Sequence, residues 1–183
     1  MRPVEFYKKA KRAVIKEGYK QEFIHYETLS LNNITPDDFF DAYLHVVINS
    51  GMKYQVAEKI KERAYREGFE TIGHVGKRNA ILKMIKGKNA EKCLKELKEK
   101  KTIIEKLDHL ESLPYIGKIT KYHLAKNLGI DIAKPDRHLV RLAKKFGFNN
   151  VQKFCNEISK ETGDKITVID VILWRYSNLF GSK

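Results

Sequence analysis

A chain of 183 residues can close one or two small cores. Its 36 lysines and arginines against 23 acids give a formal net charge of +13. That balance points to an anionic partner, the plainer alternative being a soluble protein that happens to be basic. No apolar run approaches the roughly 18 residues of a membrane-spanning helix, which excludes a membrane partner of that kind. The first residues, MRPVEFYKKAKRAV, lack a signal-peptide core, and Glu5 and Glu17 argue against a transit peptide. Cys93 and Cys155 lie far apart among helical residues and read as reduced, packed thiols of an intracellular protein.

Helical spacing dominates the chain. Phe6, Ala10, Ala13 and Val14 predict a helix over about Pro3 to Lys16, with proline at its start and Gly18 at its end. From Tyr19 to Asn33 the pattern is weak, and a loop with a short turn is expected. Thr35-Pro36-Asp37-Asp38 marks a helix start: threonine caps, proline takes the first position, and two acids face the positive end of the dipole. The following helix, Asp37 to Asn49, carries Phe39, Phe40, Ala42, Tyr43, Val46 and Val47 and is expected at the centre of a core. Asn49-Ser50-Gly51-Met52-Lys53 breaks the pattern, and Tyr54 to Glu67 resumes it. Gly68 and Gly73 to Gly76 mark loops.

Further helices are predicted over Lys77–Lys86, Asn89–Glu99 and Thr102–Leu110. The lysines from Lys83 to Lys106 read as a solvated face. Later come a helix to about Phe146, one from Asn149 to Lys160, and one from Thr167 to Phe180. The last holds Val168, Ile169, Val171, Ile172, Leu173 and Leu179 and is expected to be well buried. There is no β alternation of useful length and no internal repeat, so the fold class is all-α.

The residues with chemical character gather in Leu113 to His138, LPYIGKITKYHLAKNLGIDIAKPDRH. Leu113 to Gly117 is a tight turn between two helices, the second predicted from Lys118 to Leu128 and stopped by Gly129. Lys134-Pro135-Asp136-Arg137-His138 starts another. The first N–H groups of a helix have no internal partner, carry partial positive charge and suit a phosphate. Gly117 would let a nucleic-acid backbone approach, and Lys118 and Lys121 add charge. A plain αα-hairpin is the alternative for the turn, and a helix cap the alternative for Asp136.

L-P-x-[IV]-G-x-x-T followed, about two helical turns on, by K-P-D-x-H resembles the helix-hairpin-helix and aspartate of the HhH-GPD DNA glycosylases. These include the endonuclease III, adenine-mismatch, 8-oxoguanine and 3-methyladenine groups. The specific match covers Leu113 to His138; the order of helices extends it more weakly over most of the chain. Tyr115 departs from the pattern, since the family has glycine there.

The resemblance implies two helical domains flanking a DNA-binding cleft. One is a six-helix domain over residues 31–126 that carries the hairpin. The other is discontinuous, residues 1–30 with 127–183. The implied protein is a monomer acting on double-stranded DNA that contains a damaged or mismatched base. It flips the nucleotide out and breaks the N-glycosidic bond through an oxocarbenium-like transition state.

Asp136 is the implied catalytic carboxylate. The implied DNA contacts are N–H groups around Gly117, Ile119 and Thr120, with Lys118, Lys121 and His138. Met52, Lys53, Tyr54 and Gln55 are the candidates to fill the gap left by the base, an ordinary inter-helix turn being the alternative, and Tyr54, Gln55, Asp170 and Trp174 would meet the base itself. For the last two, Thr167-x-x-Asp170 as a capping box and Trp174 as core are the alternatives.

The carbonyls of Glu111, Leu113 and Ile116 would hold K+ or Na+, and no other cofactor is implied. Some members carry a four-cysteine iron–sulfur cluster, which two cysteines cannot supply. The lysine of the lyase members falls at Ile119 when the hairpin glycines are aligned, with Lys118 about 100° away around the helix. The expectation is therefore a monofunctional glycosylase. A glycosylase/lyase using Lys118, a non-catalytic helix-hairpin-helix DNA-binding module and a purely structural helical protein are the alternatives.

Overall fold

The computed structural model describes residues 1–181, which form eleven α-helices and three short 3-10 turns, with no β-strand among them. The helices are α1 (Pro3–Lys16), α2 (Lys20–Thr28), α3 (Pro36–Asn49), α4 (Tyr54–Glu67), α5 (Val75–Ile85) and α6 (Asn89–Glu99). After them come α7 (Ile103–Glu111), α8 (Thr120–Asn127), α9 (Arg137–Lys145), α10 (Val151–Thr162) and α11 (Ile166–Phe180). Two compact units result. Ser30–Leu128 holds α3 to α8; Met1–Leu29 with the chain from Gly129 onward holds α1, α2, α9, α10 and α11. The second crossing follows Leu128, the buried C-cap of α8, rather than residue 126.

In the first of these units α3 is the central helix. Thr35 caps it: its hydroxyl accepts the Asp38 N–H at 3.2 Å, and the Asp38 carboxylate accepts the Thr35 N–H at 2.9 Å. Phe39, Tyr43, Leu44, Val46, Val47 and Ile48 are buried on several sides of the helix, so α4, α5, α6 and α8 can all pack on it. In the other unit Tyr7, Ala10 and Val14 of α1 meet Phe154 and Ile158 of α10 and Val168, Ile169 and Ile172 of α11, with Leu139 and Leu142 of α9. No helix among the described residues is long and apolar enough to cross a membrane.

Three segments depart from the sequence reading. Lys20–Thr28 is a helix, not a loop. It is anchored by the single buried Phe23 in a core assembled from distant residues, so no apolar stripe announces it. α5 starts at Val75, with His74 Nδ1 accepting the Lys77 N–H at 3.3 Å, and therefore takes in Gly76. Glycine fits there because a Cβ would collide with the Tyr115 side chain in its present position. α8 starts at Thr120 rather than Lys118, which changes the donors the hairpin offers.

Candidate functional site

In the hairpin, α7 is capped by the Thr102 hydroxyl and Glu105 carboxylate, and its last turn buries Leu110 before it ends at Glu111. The Ile116 N–H then donates to the Leu113 carbonyl at 3.1 Å, closing the turn. Tyr115 sits inside it at φ 63, the left-handed region that glycine enters freely and tyrosine enters at a cost of about 1 kcal/mol. The backbone shape of the glycine-bearing pattern is therefore kept with a different side chain. That side chain packs its hydroxyl over Gly76 and its ring edge-to-face on His74, with centroids 5.8 Å apart. The Tyr43 hydroxyl donates to the Pro114 carbonyl at 2.9 Å and ties the turn to α3.

The Gly117 N–H, an expected phosphate donor, is turned inward onto the Thr120 hydroxyl at 2.7 Å. The N–H groups of Lys118, Ile119 and Thr120 have no acceptor among the described residues, and they are the open donors. Gly117 does not have a positive φ, and a Cβ there would meet only the Thr120 hydroxyl at 3.9 Å, so the fold itself does not require glycine. Lys118 and Ile119 are exposed, and Lys118 makes no ion pair among the described residues.

Lys121 is differently situated from its expected role. Its amine pairs with Glu111 and lies 3.8 Å from Asp108, tying α8 to α7. The hydrogen bond it donates to the Glu111 carboxylate favours the ammonium form and raises the Lys121 pKa above the usual lysine range. The carbonyls of Glu111 and Ile116 accept no hydrogen bond among the described residues, and that of Leu113 accepts one. Hard oxygen donors of this kind suit a monovalent cation.

Ser50 to Lys53 connects α3 to α4. Gly51 has φ 78, the Met52 N–H donates to the Asn49 carbonyl at 3.2 Å, and Lys53 is the N-cap of α4. Met52 is half-buried; Lys53, Tyr54 and Gln55 are exposed. The Tyr54 ring lies 6.3 Å from that of His45, whose ring lies 5.7 Å from that of His123 on α8. Burial pushes the His45 pKa down, against the pull of Glu58 at 3.4 Å. Neither histidine stands out in the sequence, because each falls singly inside a helical pattern.

In the other unit Asp136 is the N-cap of α9. Its Oδ1 accepts the N–H groups of His138 at 2.9 Å and Leu139 at 3.1 Å, while Oδ2 accepts none among the described residues. The side chain is half-buried, and its own N–H donates to the Lys134 carbonyl at 2.8 Å. The His138 ring is half-buried beside the Arg137 guanidinium, Nε to Nε2 3.4 Å.

The segment before Asp136 has no regular structure and is held by side chains from afar. Gln152 accepts the Ala133 N–H at 3.1 Å, and the Thr167 hydroxyl accepts the Ile132 N–H at 3.2 Å. Asp170, buried, accepts the Lys134 N–H at 2.6 Å. The capping-box alternative for Thr167 and Asp170 fails, since α11 starts at Ile166 with Lys165 as its cap. Asp170, expected at a base, thus faces the backbone two residues before Asp136. Trp174 is half-buried on the core, with the Arg175 guanidinium 4.9 Å from its ring.

No protein-family model matches the chain, and no curated protein does. Solved structures do match. The 8-oxoguanine glycosylase/lyase of Methanocaldococcus jannaschii, in complex with 15mer DNA containing 8-oxoguanine, superposes with a TM-score of 0.68. It is 16% identical, over 96% of this chain and 97% of that one. The 8-oxoguanine DNA glycosylase of Thermotoga maritima gives a TM-score of 0.68 at 18% identity, over 97% of each chain. Such identities speak to fold, and this chain has the all-helical fold of these two 8-oxoguanine DNA glycosylases.

Proposed function

We propose that this chain is a DNA N-glycosylase of base-excision repair, which extrudes a damaged or mismatched base from duplex DNA and hydrolyses its N-glycosidic bond. The observation that carries the reading is Asp136: one oxygen is fixed by two backbone N–H groups, and the other has no partner among the described residues. As the bond to the base breaks, positive charge grows on the sugar. A carboxylate held rigidly at that point stabilises the charge and orients the attacking water. The open N–H groups of Lys118, Ile119 and Thr120, with the Lys118 ammonium, grip a phosphate without reading sequence. The carbonyls of Glu111, Leu113 and Ile116 would hold K+ or Na+ and so stiffen the turn.

Water as the nucleophile is the preferred form, because Ile119 stands where the lyase lysine aligns. A glycosylase/lyase using Lys118 is the second reading, favoured by the exposed amine and by the lyase activity named for the M. jannaschii protein. The test is a panel of duplexes, each with one altered or mispaired base and 8-oxoguanine among them, scored for abasic sites. Release from one duplex, lost in Asp136→Asn, supports the proposal. Tight, salt-sensitive binding without release from any duplex would leave a DNA-binding module.

A further inference from the structure

We infer that Lys77 is a positioning residue, holding in one conformation the Ser50–Lys53 loop, which the resemblance places at the gap left by an extruded base; this rests on the glycosylase reading. Lys77 is 5% exposed and faces no carboxylate among the described residues. Its amine donates instead to two carbonyls, Ile48 at 3.1 Å and Ser50 at 2.5 Å. These belong to the last turn of α3 and to its C-cap, where carbonyls lack helical partners and the dipole favours a cation. Burying an ammonium group without an acid is costly, and a buried lysine is uncommon. A glycine cap or exposure to water would satisfy the same carbonyls with no such cost. What Lys77 adds is a fixed path for the chain just before Gly51.

Beyond that point the loop is held at its ends: the Met52 N–H reaches back to the Asn49 carbonyl, and the Lys53 carbonyl accepts the Val56 and Ala57 N–H groups at 3.0 and 3.1 Å, while the Gly51, Lys53 and Tyr54 side of the loop is exposed. The same first turn of α5 also seats the hairpin, through His74 and Gly76 against Tyr115. One helical turn therefore braces both the phosphate-gripping turn and the loop. The hairpin has a second support in Tyr43, so loss of Lys77 reaches the loop first.

The test compares Lys77→Met, Lys77→Gln and Lys77→Arg with the parent. In Lys77→Met, amide exchange at Ser50 and Met52, whose N–H groups donate to the Val46 and Asn49 carbonyls, should rise about tenfold or more while exchange at Ile116 holds. Duplex affinity should stay within about threefold, with the same salt slope. Fluorescence of 2-aminopurine, reporting extrusion per bound complex, should fall at least about fivefold. Lys77→Arg should restore most of both signals, which a change that merely loosened the core would not allow. Lys77→Gln keeps an N–H donor and is read by the same criteria if Lys77→Met does not fold. Unchanged loop exchange, or unchanged extrusion per complex, in a folded variant overturns the inference. If the loop loosens but the parent itself releases no base from any duplex, the loop-holding role stands and the glycosylase reading falls.

Discussion

α8 and α9 start within one stretch of sequence and meet the same physical problem: the first N–H groups of a helix have no partner inside it. α9 answers from its own chain. Asp136 turns one carboxylate oxygen onto two of those groups, and the start is closed. α8 leaves the problem open. Its N-cap is Ile119, with no acceptor, and the Thr120 hydroxyl bends back to the Gly117 N–H rather than forward. Lacking a cap costs a helix about 1 kcal/mol, and the hairpin bears that cost with three donors facing outward. The closed start presents a fixed anion, which is what chemistry on a cationic transition state requires. The open start offers a seat for an anion, which is what holding a phosphate requires.

The largest effect should come from separating the two functions of the closed start. Asp136→Asn keeps an oxygen for the His138 and Leu139 N–H groups and loses the charge. Base release should fall by about a hundredfold or more, with melting temperature and duplex affinity near parental. Asp136→Ala should lose release and also about 1 kcal/mol of stability. If the asparagine variant releases base at the parental rate, Asp136 is a cap alone.

The open start should break next. A Cβ at Gly117 fits the fold, so Gly117→Val, with melting temperature and Gly117→Ala as controls for the fold, tests what approaches from outside. Affinity for every duplex should drop by about tenfold, roughly 1.4 kcal/mol, measured by fluorescence anisotropy with intact and damaged strands. An altered preference among bases with unchanged affinity would mean that the turn does not meet the phosphate backbone.

How much of this could be read from the chain follows from the range of each interaction. The caps at Thr35 and Asp136 are local, formed with N–H groups two or three residues on, and were legible. So was the hairpin turn, although the left-handed Tyr115 was visible only as a departure from a pattern. What was hidden is long-range. Asp170 reaches Lys134 across 36 positions, Lys77 reaches Ser50 across 27, and the lone Phe23 fastens α2 into a core built elsewhere. A lysine among many lysines reads as solvated surface until its neighbours are known. Lys121 reads as a phosphate contact until Glu111 is found beside it.

A smaller effect concerns the far side of the open helix, where His45 packs on His123 of α8. Burial lowers the His45 pKa, so the folded state resists a proton that the unfolded chain accepts. The stability this gives is present above the unfolded value of about 6.5 and is lost as pH falls below it. Lys61 adds to the shift, and Glu58 and Asp41 oppose it. Asp38 and Glu105, whose cap hydrogen bonds lower their pKa, act only in the more acidic carboxylate range. The melting temperature should therefore fall modestly from pH 7 to pH 5 in the parent, and less in His45→Gln. Identical slopes would exclude His45 as the cause.

The smallest effect is assigned to Lys118, and it decides how the open start takes part in chemistry. If its amine only contacts a phosphate, Lys118→Ala removes one counterion-releasing contact. The slope of log affinity against log salt then falls by about 0.9, and binding weakens a few-fold at low salt and less at high salt. Base release at saturating enzyme should be unchanged, because water remains the nucleophile. If the amine reaches the sugar instead, an imine joins protein and DNA during turnover. Borohydride would trap that imine as a stable adduct, and Lys118→Ala would abolish it. The expected result is no adduct on a duplex from which the enzyme demonstrably releases base. Processed DNA is the necessary setting, since opened abasic sites react slowly with many exposed lysines. A strong adduct that vanishes in Lys118→Ala would move Lys118 from grip to nucleophile and replace the monofunctional reading with that of a glycosylase/lyase.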